Sequence, residues 1–451
     1  MKNELLSNDL TTGTIWKKML AYFLPLAAGT VFQQLYNAAD GLIVGKYVGT
    51  IALAAVGGSA ALVSNALVNF FVGLTGGGSI LIAQFFGANN KNNLKKSVST
   101  SMIFAFFCGI AISIACFLLT SNILVWMKNP AECMEDSIIY LRIVFCGLMF
   151  QLVYNMSAGI LRAIGDSRTP FITLSVSCTI NIALDLLFVK VFAWGVAGAA
   201  YATIISQLVC ALLTTSKLIK YRAESYGLNL KELCFDWNIL KKSLAVGVPL
   251  AFQTMMYAVT NILIQVSINV LGTVDVAAWA ITGKLDGFFW GFMSAANATV
   301  TNFIGQNYGK GDYDRMKKGV YASFAIFMIL GVAYSVSLVA FSNQLIPLFS
   351  DDPAVFLVSK KVINIIGPFY WVWVFNEIFS GALRGEGKTL ISFIIIAISI
   401  CGFRLAWLAT LFAAKSTIEM LSICYPASWA VASCGMAIYY IIHMRRKAVV
   451  Q

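Results

Sequence analysis

Two carboxylates, one amide and one hydroxyl stand out because the residues around them are almost wholly apolar. Asp40 lies in the run PLAAGTVFQQLYNAADGLIVGKYVG, and Asp185 lies in TLSVSCTINIALDLLFV. Asn181 precedes Asp185 by one helical turn, so both side chains share one face of a helix. Thr203 lies in the next apolar run, at a depth that we predict to be similar. An acid inside a lipid-embedded span is costly and usually functional. These oxygens suit a hard cation, or a carboxyl pair that shares protons.

The helices that must position these side chains are predicted from the composition. The chain has 451 residues, of which 59% are hydrophobic and 12% are charged, and soluble globular proteins do not have this balance. Apolar runs of about 20 residues recur, which indicates an all-α polytopic membrane protein with twelve transmembrane helices. Continuous runs also exclude a β-barrel, whose strands alternate. We place the spans at 18–45, 51–82, 97–120, 137–159, 170–192, 195–217, 242–270, 276–304, 319–343, 361–382, 390–413 and 421–443.

The net charge of +12 is a signal of membrane topology. Most Lys and Arg residues collect in alternate loops, for example Lys95–Lys96 and Lys317–Lys318. Because basic loops stay on the cytoplasmic side, we expect both termini in the cytoplasm and the protein in the cell membrane. No nucleic-acid partner is expected. The single histidine, His443, lies at the edge of the last span and the cysteines are scattered, so we expect no metal centre and no cofactor.

An internal repeat with a period of about 223 residues divides the chain into two similar halves. PLAAGTVFQQLYN from Pro25 matches PLAFQTMMYAVTN from Pro249, and IAQFFG matches IGQNYG. Each half holds six spans, so the two copies enter the membrane from the same side. Parallel repeats of this kind are common among secondary transporters, with the substrate path between the halves. We therefore predict an N-terminal lobe at 1–217, a cytoplasmic interlobe linker at 218–241 and a C-terminal lobe at 242–451.

Three stretches of the sequence carry a resemblance to a known family. The run NAADGLIVGKYVGTIALAAVG, the loop FGANNKNNLKKSV and the repeated LRAIGDSRTP and LRGEGKT resemble the multidrug and toxic compound extrusion (MATE) family, over roughly residues 15–443. The resemblance implies the MATE fold. It also implies a first-lobe cation site formed by Asp40, Asn181, Asp185 and Thr203, and a first helix that bends at Pro25 when this site is protonated.

Other polar residues inside the spans are weaker candidates. A substrate cavity is predicted to be lined by Gln34, Tyr36, Asn37, Asn155 and Ser177. The second half has no acid at the position that corresponds to Asp40, where Ile264 stands. It carries other charges inside its spans, for which we expect either internal ion pairing or a role in substrate binding or coupling. These charges are Lys284, Asp286, Glu377 and Arg404.

The function that these observations predict is secondary antiport. Hydrophobic, often cationic or aromatic small molecules would leave the cell in exchange for Na⁺ or H⁺, by alternating access between two lobes of a monomer. One alternative is a flippase for lipid-linked oligosaccharides, which would need a cavity rich in Arg and Lys that the first-lobe spans lack. The other is a membrane enzyme with Asp40 and Asp185 as its catalytic pair. Such an enzyme would turn over its substrate without an ion gradient, and we expect no catalysis.

Overall fold

The computed structural model describes residues 9–127 and 129–450. Within helices, the side chains of residues 37, 38, 50, 51, 53, 54, 59 and 447–450 lie outside the described part. All regular structure in the described residues is helical, and no β-strand occurs among them. The all-α prediction is therefore confirmed.

The first half of the chain forms eight α-helices. One of them is preceded by a 3-10 turn, and another is continued by a π-helical segment. A 3-10 turn at Ala131–Cys133 leads into α5, and a π-helical segment at Leu186–Val191 continues α7. The helices are α1 (Ile15–Tyr47), α2 (Thr50–Gly57), α3 (Ser59–Gly87), α4 (Lys91–Trp126), α5 (Met134–Cys146), α6 (Leu148–Ala163), α7 (Arg168–Asp185) and α8 (Gly195–Lys220).

The second half has the same order of spans, and its eleventh span is divided into shorter helical segments. Two π-helical segments, Ala397–Gly402 and Leu408–Phe412, interrupt its eleventh span. The helices are α9 (Trp237–Asn269), α10 (Thr273–Lys310), α11 (Tyr313–Ala340), α12 (Ser342–Leu345), α13 (Pro353–Ile366), α14 (Tyr370–Gly385), α15 (Thr389–Ile396), α16 (Phe403–Trp407) and α17 (Ile418–Val450).

Each of the twelve predicted spans falls on one of these helices or on a consecutive set of them. Among the described residues, nine helical stretches are long and apolar enough to cross a membrane, and the bent pair of α5 and α6 makes a tenth. The two remaining spans correspond to α1 and α10, which are 33 and 38 residues long. A helix of this length exceeds the roughly 20 residues that a bilayer core requires.

The repeat is visible in the backbone as well as in the sequence. The first long helix of each half contains a proline, Pro25 in α1 and Pro249 in α9. The loop that follows that helix holds a glycine at φ +120° in the first half, Gly49, and at φ +124° in the second, Gly272. Residues with a Cβ rarely adopt this conformation, so both copies need glycine there.

The chain divides into two compact units that are not continuous in sequence. Unit 1 includes residues 24–251, and unit 2 combines Leu10–Phe23 with the chain from Phe252 onward. The first part of α1 therefore belongs to unit 2, and the first part of α9 belongs to unit 1. Each change of unit lies within a few residues of the repeat-related prolines. The lobes predicted from the sequence, with a linker at 218–241 between them, have different bounds from these two units. The predicted lobes stay a prediction.

One hydrophobic cluster of unit 1 places the candidate polar residues. It contains buried side chains from α1 to α6, from α8 and from the π-helical segment, including Val44, Phe145, Leu148, Val189 and Ala199. Val44 and Val189 lie one turn after Asp40 and Asp185, and Ala199 lies one turn before Thr203. Packing of this cluster brings the polar positions of three helices to the same level.

The hydrophilic segment between α8 and α9 is folded onto unit 1. Tyr221 and Leu228 are buried in a cluster with residues of α3, α4 and α6, and Tyr226 contacts Phe86 with ring centroids 6.1 Å apart. Two ion pairs hold its polar part: Lys95 with Glu232, and Lys96 with Asp236 at 3.3 Å. The segment is therefore a packed part of unit 1.

Candidate functional site

Asp185 is the last residue of α7, at the point where the helix widens into a π-helical segment. Such π segments are rare and frequently mark functional positions. The side chain of Asp185 is 0% exposed and that of Asn181 is 1% exposed. With its amide oriented to satisfy both partners, Asn181 donates to Asp185 Oδ2 at 2.9 Å and accepts from the Thr203 backbone N–H at 3.3 Å. The predicted one-turn pairing on α7 is present, and it reaches α8.

Asp40 of α1 meets this pair. Its carboxyl group lies within hydrogen-bond reach of the Asp185 carboxyl group. One oxygen of each acid, Oδ1 in both, is buried without a hydrogen-bond partner in the described part of the chain. Two carboxyl groups can share a hydrogen bond only if one of them carries a proton, because two adjacent carboxylates repel each other. The pair is therefore built to hold a proton or to be bridged by a cation.

Hydroxyl groups complete the surroundings of the two acids. The buried Thr203 hydroxyl donates to the Ala199 carbonyl at 3.0 Å, which leaves its oxygen lone pairs directed elsewhere. The Tyr36 hydroxyl lies within hydrogen-bond reach of the Thr203 side chain and interacts electrostatically with both acids. Tyr140 of α5 is buried and also interacts electrostatically with both. Tyr140 was not predicted from the sequence, where it is one aromatic residue in an apolar span.

The structure therefore brings together all four residues predicted for the cation site. Asp40, Asn181, Asp185 and Thr203 come from three helices and contribute carboxylate, amide and hydroxyl oxygens. Oxygen ligands of this kind suit hard cations such as Na⁺, and the carboxyl pair suits protons. The described residues contain no group of three or more His, Cys, Asp or Glu side chains that could hold a metal ion. A cation at this position would be held by only two acids, as a transported ion and not as a resident metal cofactor.

The predicted cavity residues have different surroundings. Ser177 is buried two turns before Asp185 and donates to the Ser206 carbonyl at 2.6 Å. Asn155 is also buried, with Nδ2 lacking a partner in the described part of the chain. No hydrogen bond within the described residues joins Gln34 or Asn155 to the two acids, and the side chain of Asn37 lies outside the described part. Their role as cavity residues stays a prediction.

Internal ion pairing, one of the two alternatives for the charges of the second half, is not found among the described residues. Lys284, Asp286, Glu377 and Arg404 form no salt bridge in the described part of the chain. Asp286 accepts a hydrogen bond from Tyr370, and Glu377 accepts one from Trp373 Nε1 at 2.8 Å. Lys284 is exposed, with its amine 5.4 Å from the Phe349 ring centroid. The neighbours that these charges contact are therefore aromatic side chains and not counter-ions.

Pro25 lies inside α1, one residue after the position where the chain passes from unit 2 to unit 1. Proline has no N–H for the hydrogen bond to the preceding turn, so the helix can bend there at lower cost. Asp40 follows four turns later on the same helix. A hinge at Pro25 stays a prediction.

Comparison with known proteins agrees with these features. The MatE family model matches residues 25–187 and 249–408, once in each half. The chain is 27% identical to the probable multidrug resistance protein YoeA of Bacillus subtilis, over 99% of this chain and 98% of that one. It is 26% identical to the probable multidrug resistance protein NorM of Thermotoga maritima, over 87% and 84% of the two chains.

Solved structures show the same fold. A MATE crystal structure in a straight conformation superposes with a TM-score of 0.91 at 22% identity, covering 98% of both chains. A transporter of the MOP superfamily from Pyrococcus furiosus, described as having a binding pocket of reverse polarity, superposes with a TM-score of 0.87 at 24% identity and covers 99% of both chains. The twelve-span architecture with two repeats is thus confirmed.

Proposed function

Since the chain belongs to the MATE family of multidrug transporters, we propose that it is a cation-coupled antiporter. It would export hydrophobic, often cationic or aromatic molecules in exchange for Na⁺ or H⁺. The observation that supports this most directly is the contact between the Asp40 and Asp185 carboxyl groups inside a membrane protein. Buried ionisable residues in membrane spans commonly form ion pathways and proton relays.

The proposed cycle uses the cation affinity of the acid pair. A proton or Na⁺ entering from outside neutralises the two carboxyl groups, with Asn181 and Thr203 supplying further oxygens. Loss of this cation on the inner side would leave two facing negative charges, which repel each other. A cationic substrate and the coupling cation would then compete for the same charge, which is the basis of exchange. We propose that the protein acts as a monomer in the cell membrane, with both termini cytoplasmic and without catalysis.

The decisive experiment is substitution of the two acids in the full chain. Asp40→Asn and Asp185→Asn keep the side-chain size and remove the charge, so each variant should lose efflux of a fluorescent organic cation from proteoliposomes driven by a Na⁺ or pH gradient. Asp351→Asn is a matched control, because Asp351 is exposed. Expression and monodispersity in detergent would show that the variants fold. Undiminished gradient-driven efflux in both acid variants would refute the proposal.

A further inference from the structure

Arg404 is a buried base inside a membrane span. It lies on α16, between two π-helical segments, and is only 4% exposed. At about 1.5 Å per residue it lies roughly 22 Å along the span from Thr389, so it is far from the end where the span begins. Arginine at such a depth is expensive and generally has a partner or a ligand.

The partners of Arg404 within the protein do not satisfy its guanidinium group. Its Nε donates to Ser428 Oγ at 3.1 Å, and its guanidinium carbon lies 4.1 Å from the ring centroid of Tyr425. Neither Nη group has a hydrogen-bond partner in the described part of the chain. The acids Asp286 and Glu377 accept hydrogen bonds from Tyr370 and Trp373 and form no ion pair with Arg404. A buried cation without a counter-ion costs several kcal/mol.

The aromatic ring that contacts this guanidinium group, that of Tyr425, belongs to a cluster of aromatic side chains. Tyr425 contacts Trp279 and Trp429, with ring centroids 5.3 Å and 6.0 Å apart. Trp429 is fully buried, and its Nε1 has no acceptor in the described part of the chain. The region therefore has hydrogen-bond donors and aromatic faces, while the acceptor that would match the donors is missing.

The internal repeat allows the position of Arg404 to be compared with the corresponding position of the first half. Thr169 and Thr389 are matching residues near the start of the fifth span of each half, and counted from them Arg404 lies one residue before the position of Asp185. The first half thus places an acid, Asp185, at this level of the fifth span, and the second half places a base. The two copies carry opposite charge at positions one residue apart in the repeat, and we therefore expect their ligands to have opposite charge as well.

We propose that Arg404, together with Ser428 and Tyr425, binds the carboxylate group of an aromatic zwitterionic substrate. The planar guanidinium group can donate two parallel hydrogen bonds from its free Nη groups to the two carboxylate oxygens. The rings of Tyr425 and its neighbours would contact the aromatic body of the same molecule. The inference rests on the proposed function, to which it adds a substrate class: compounds that carry a carboxylate as well as a basic group.

Two matched dyes test this without any ion gradient. Rhodamine 110 has a free carboxylate, and rhodamine 123 is its methyl ester. Equilibrium binding to the purified full chain is measured by fluorescence polarisation. We expect the wild type to bind rhodamine 110 more tightly. Arg404→Gln should lower the affinity for rhodamine 110 roughly tenfold or more, since a charged hydrogen bond is lost, and should leave rhodamine 123 binding unchanged.

Further variants separate recognition from folding. Arg404→Lys keeps the charge without the planar fork, so an intermediate loss for rhodamine 110 is expected. Ser428→Ala should give a smaller loss for the same dye, and Arg445→Gln, at an exposed position, should change neither. Equal affinity of the wild type for both dyes, absent binding included, or an equal loss of both in Arg404→Gln and Arg404→Lys, would overturn the inference. Loss of dye discrimination is independent of gradient-driven efflux, so failure of the antiport proposal would be recognised separately.

Discussion

At the residue scale, the contrast between Asp40 and Ile264 explains how one repeat came to hold the acid pair. Ile264 is 1% exposed and packs in an apolar cluster with Ile268 and Leu421. In the first half, Asp40 meets Asp185 instead. An isoleucine at this position can be buried without a partner, whereas an acid must be protonated, paired or bound to a cation. The second half has no acid at either position of the pair, since Ile264 stands at that of Asp40 and Arg404 lies one residue before that of Asp185.

Asn181 offers a prediction at this scale. It bridges Asp185 Oδ2 and the Thr203 backbone N–H, so Asn181→Ala leaves a buried acceptor and a buried donor without partners, at a cost of about 1–3 kcal/mol. We expect the concentration of Na⁺ or H⁺ that half-saturates efflux to change roughly tenfold. The measurement is dye efflux from proteoliposomes over a series of cation concentrations.

Ser177→Ala is the matched control for Asn181→Ala. Ser177 lies one turn earlier on the same helix and donates to the Ser206 carbonyl, not to Asp185 or Thr203. Its removal should alter the cation dependence much less. A Ser177→Ala variant with the larger change would contradict the assignment of Asn181 as the residue that positions Asp185.

At the element scale, close contact between α3 and the first part of α9 is a feature of unit 1. A Cβ atom on Gly77 would lie 2.2 Å from the Ser243 carbonyl oxygen and 2.5 Å from the Gly247 nitrogen. Small residues permit such backbone contact between membrane helices. Gly77 belongs to the glycine-rich stretch GLTGGGS of α3.

Gly77→Ala should therefore destabilise the protein by about 1–3 kcal/mol or more, because backbone atoms cannot rotate away as a side chain can. Gly283→Ala is the control, since a Cβ there would meet no atom within 4 Å, and alanine is the better helix former by about 1 kcal/mol. Thermal unfolding in detergent, followed by size-exclusion chromatography, measures both. Equal midpoints for the two variants would show that the contact does not matter for stability.

The segment between α8 and α9 should be sensitive to acid pH. The hydrogen bond from Lys95 lowers the pKa of Glu232, and the backbone N–H of Ile239 together with Lys96 lowers the pKa of Asp236. A lowered carboxyl pKa contributes stability above its unfolded value, near pH 4, and this stability is lost as the pH falls through the folded value. We expect residues 221–236 to stay protected from protease at neutral pH and to be released below about pH 4.

Asp236→Asn should weaken this protection already at neutral pH, because it removes the ion pair with Lys96 while its amide oxygen can still accept from the N–H groups at the start of α9. Glu224→Gln changes an acid in the same segment that forms no salt bridge among the described residues, and it serves as the control. Limited proteolysis of the full chain over a pH series gives the result. A pH profile identical in the wild type and Asp236→Asn would contradict the role of this pair.

At the scale of the whole molecule, the two halves exchange the segments that lead into their long helices. The backbone of residues 10–13 is bound by side chains of unit 2: Arg315 donates to the carbonyl groups of Leu10, Thr12 and Gly13. In unit 1, residues of the linker are held by Lys95 and Lys96. Both receiving surfaces follow the matching motifs IAQFFG and IGQNYG. The first turns of α4 and α11, which follow these motifs, thus bind a preceding or linking segment in both repeats.

Arg315→Gln tests this exchange. Loss of the guanidinium hydrogen bonds should increase hydrogen exchange in residues 10–14 roughly tenfold or more, while residues 237–251 of unit 1 keep their protection. Lys318→Gln, at a nearby exposed position, should change neither segment. Increased exchange in both segments would mean that the two segments are not held independently.

Much of this protein was determined by its sequence alone. Continuous apolar runs predicted every span, because a helix is the only way to satisfy the backbone in lipid with such residues. The repeat predicted the order of the helices in the second half, and the spacing of Asn181 and Asp185 predicted their common face. These are local properties, since they depend on residues within one helix or on matching stretches.

Other features were decided by the tertiary structure. A membrane helix that is apolar on all sides does not specify in its sequence which face meets which neighbour. For this reason the contact of Asp40 with Asp185, and the presence of Tyr140 beside them, depend on packing of the cluster around Val44 and Phe145. The lack of a counter-ion for Arg404 is decided in the same way, because each nearby acid bonds an aromatic residue instead.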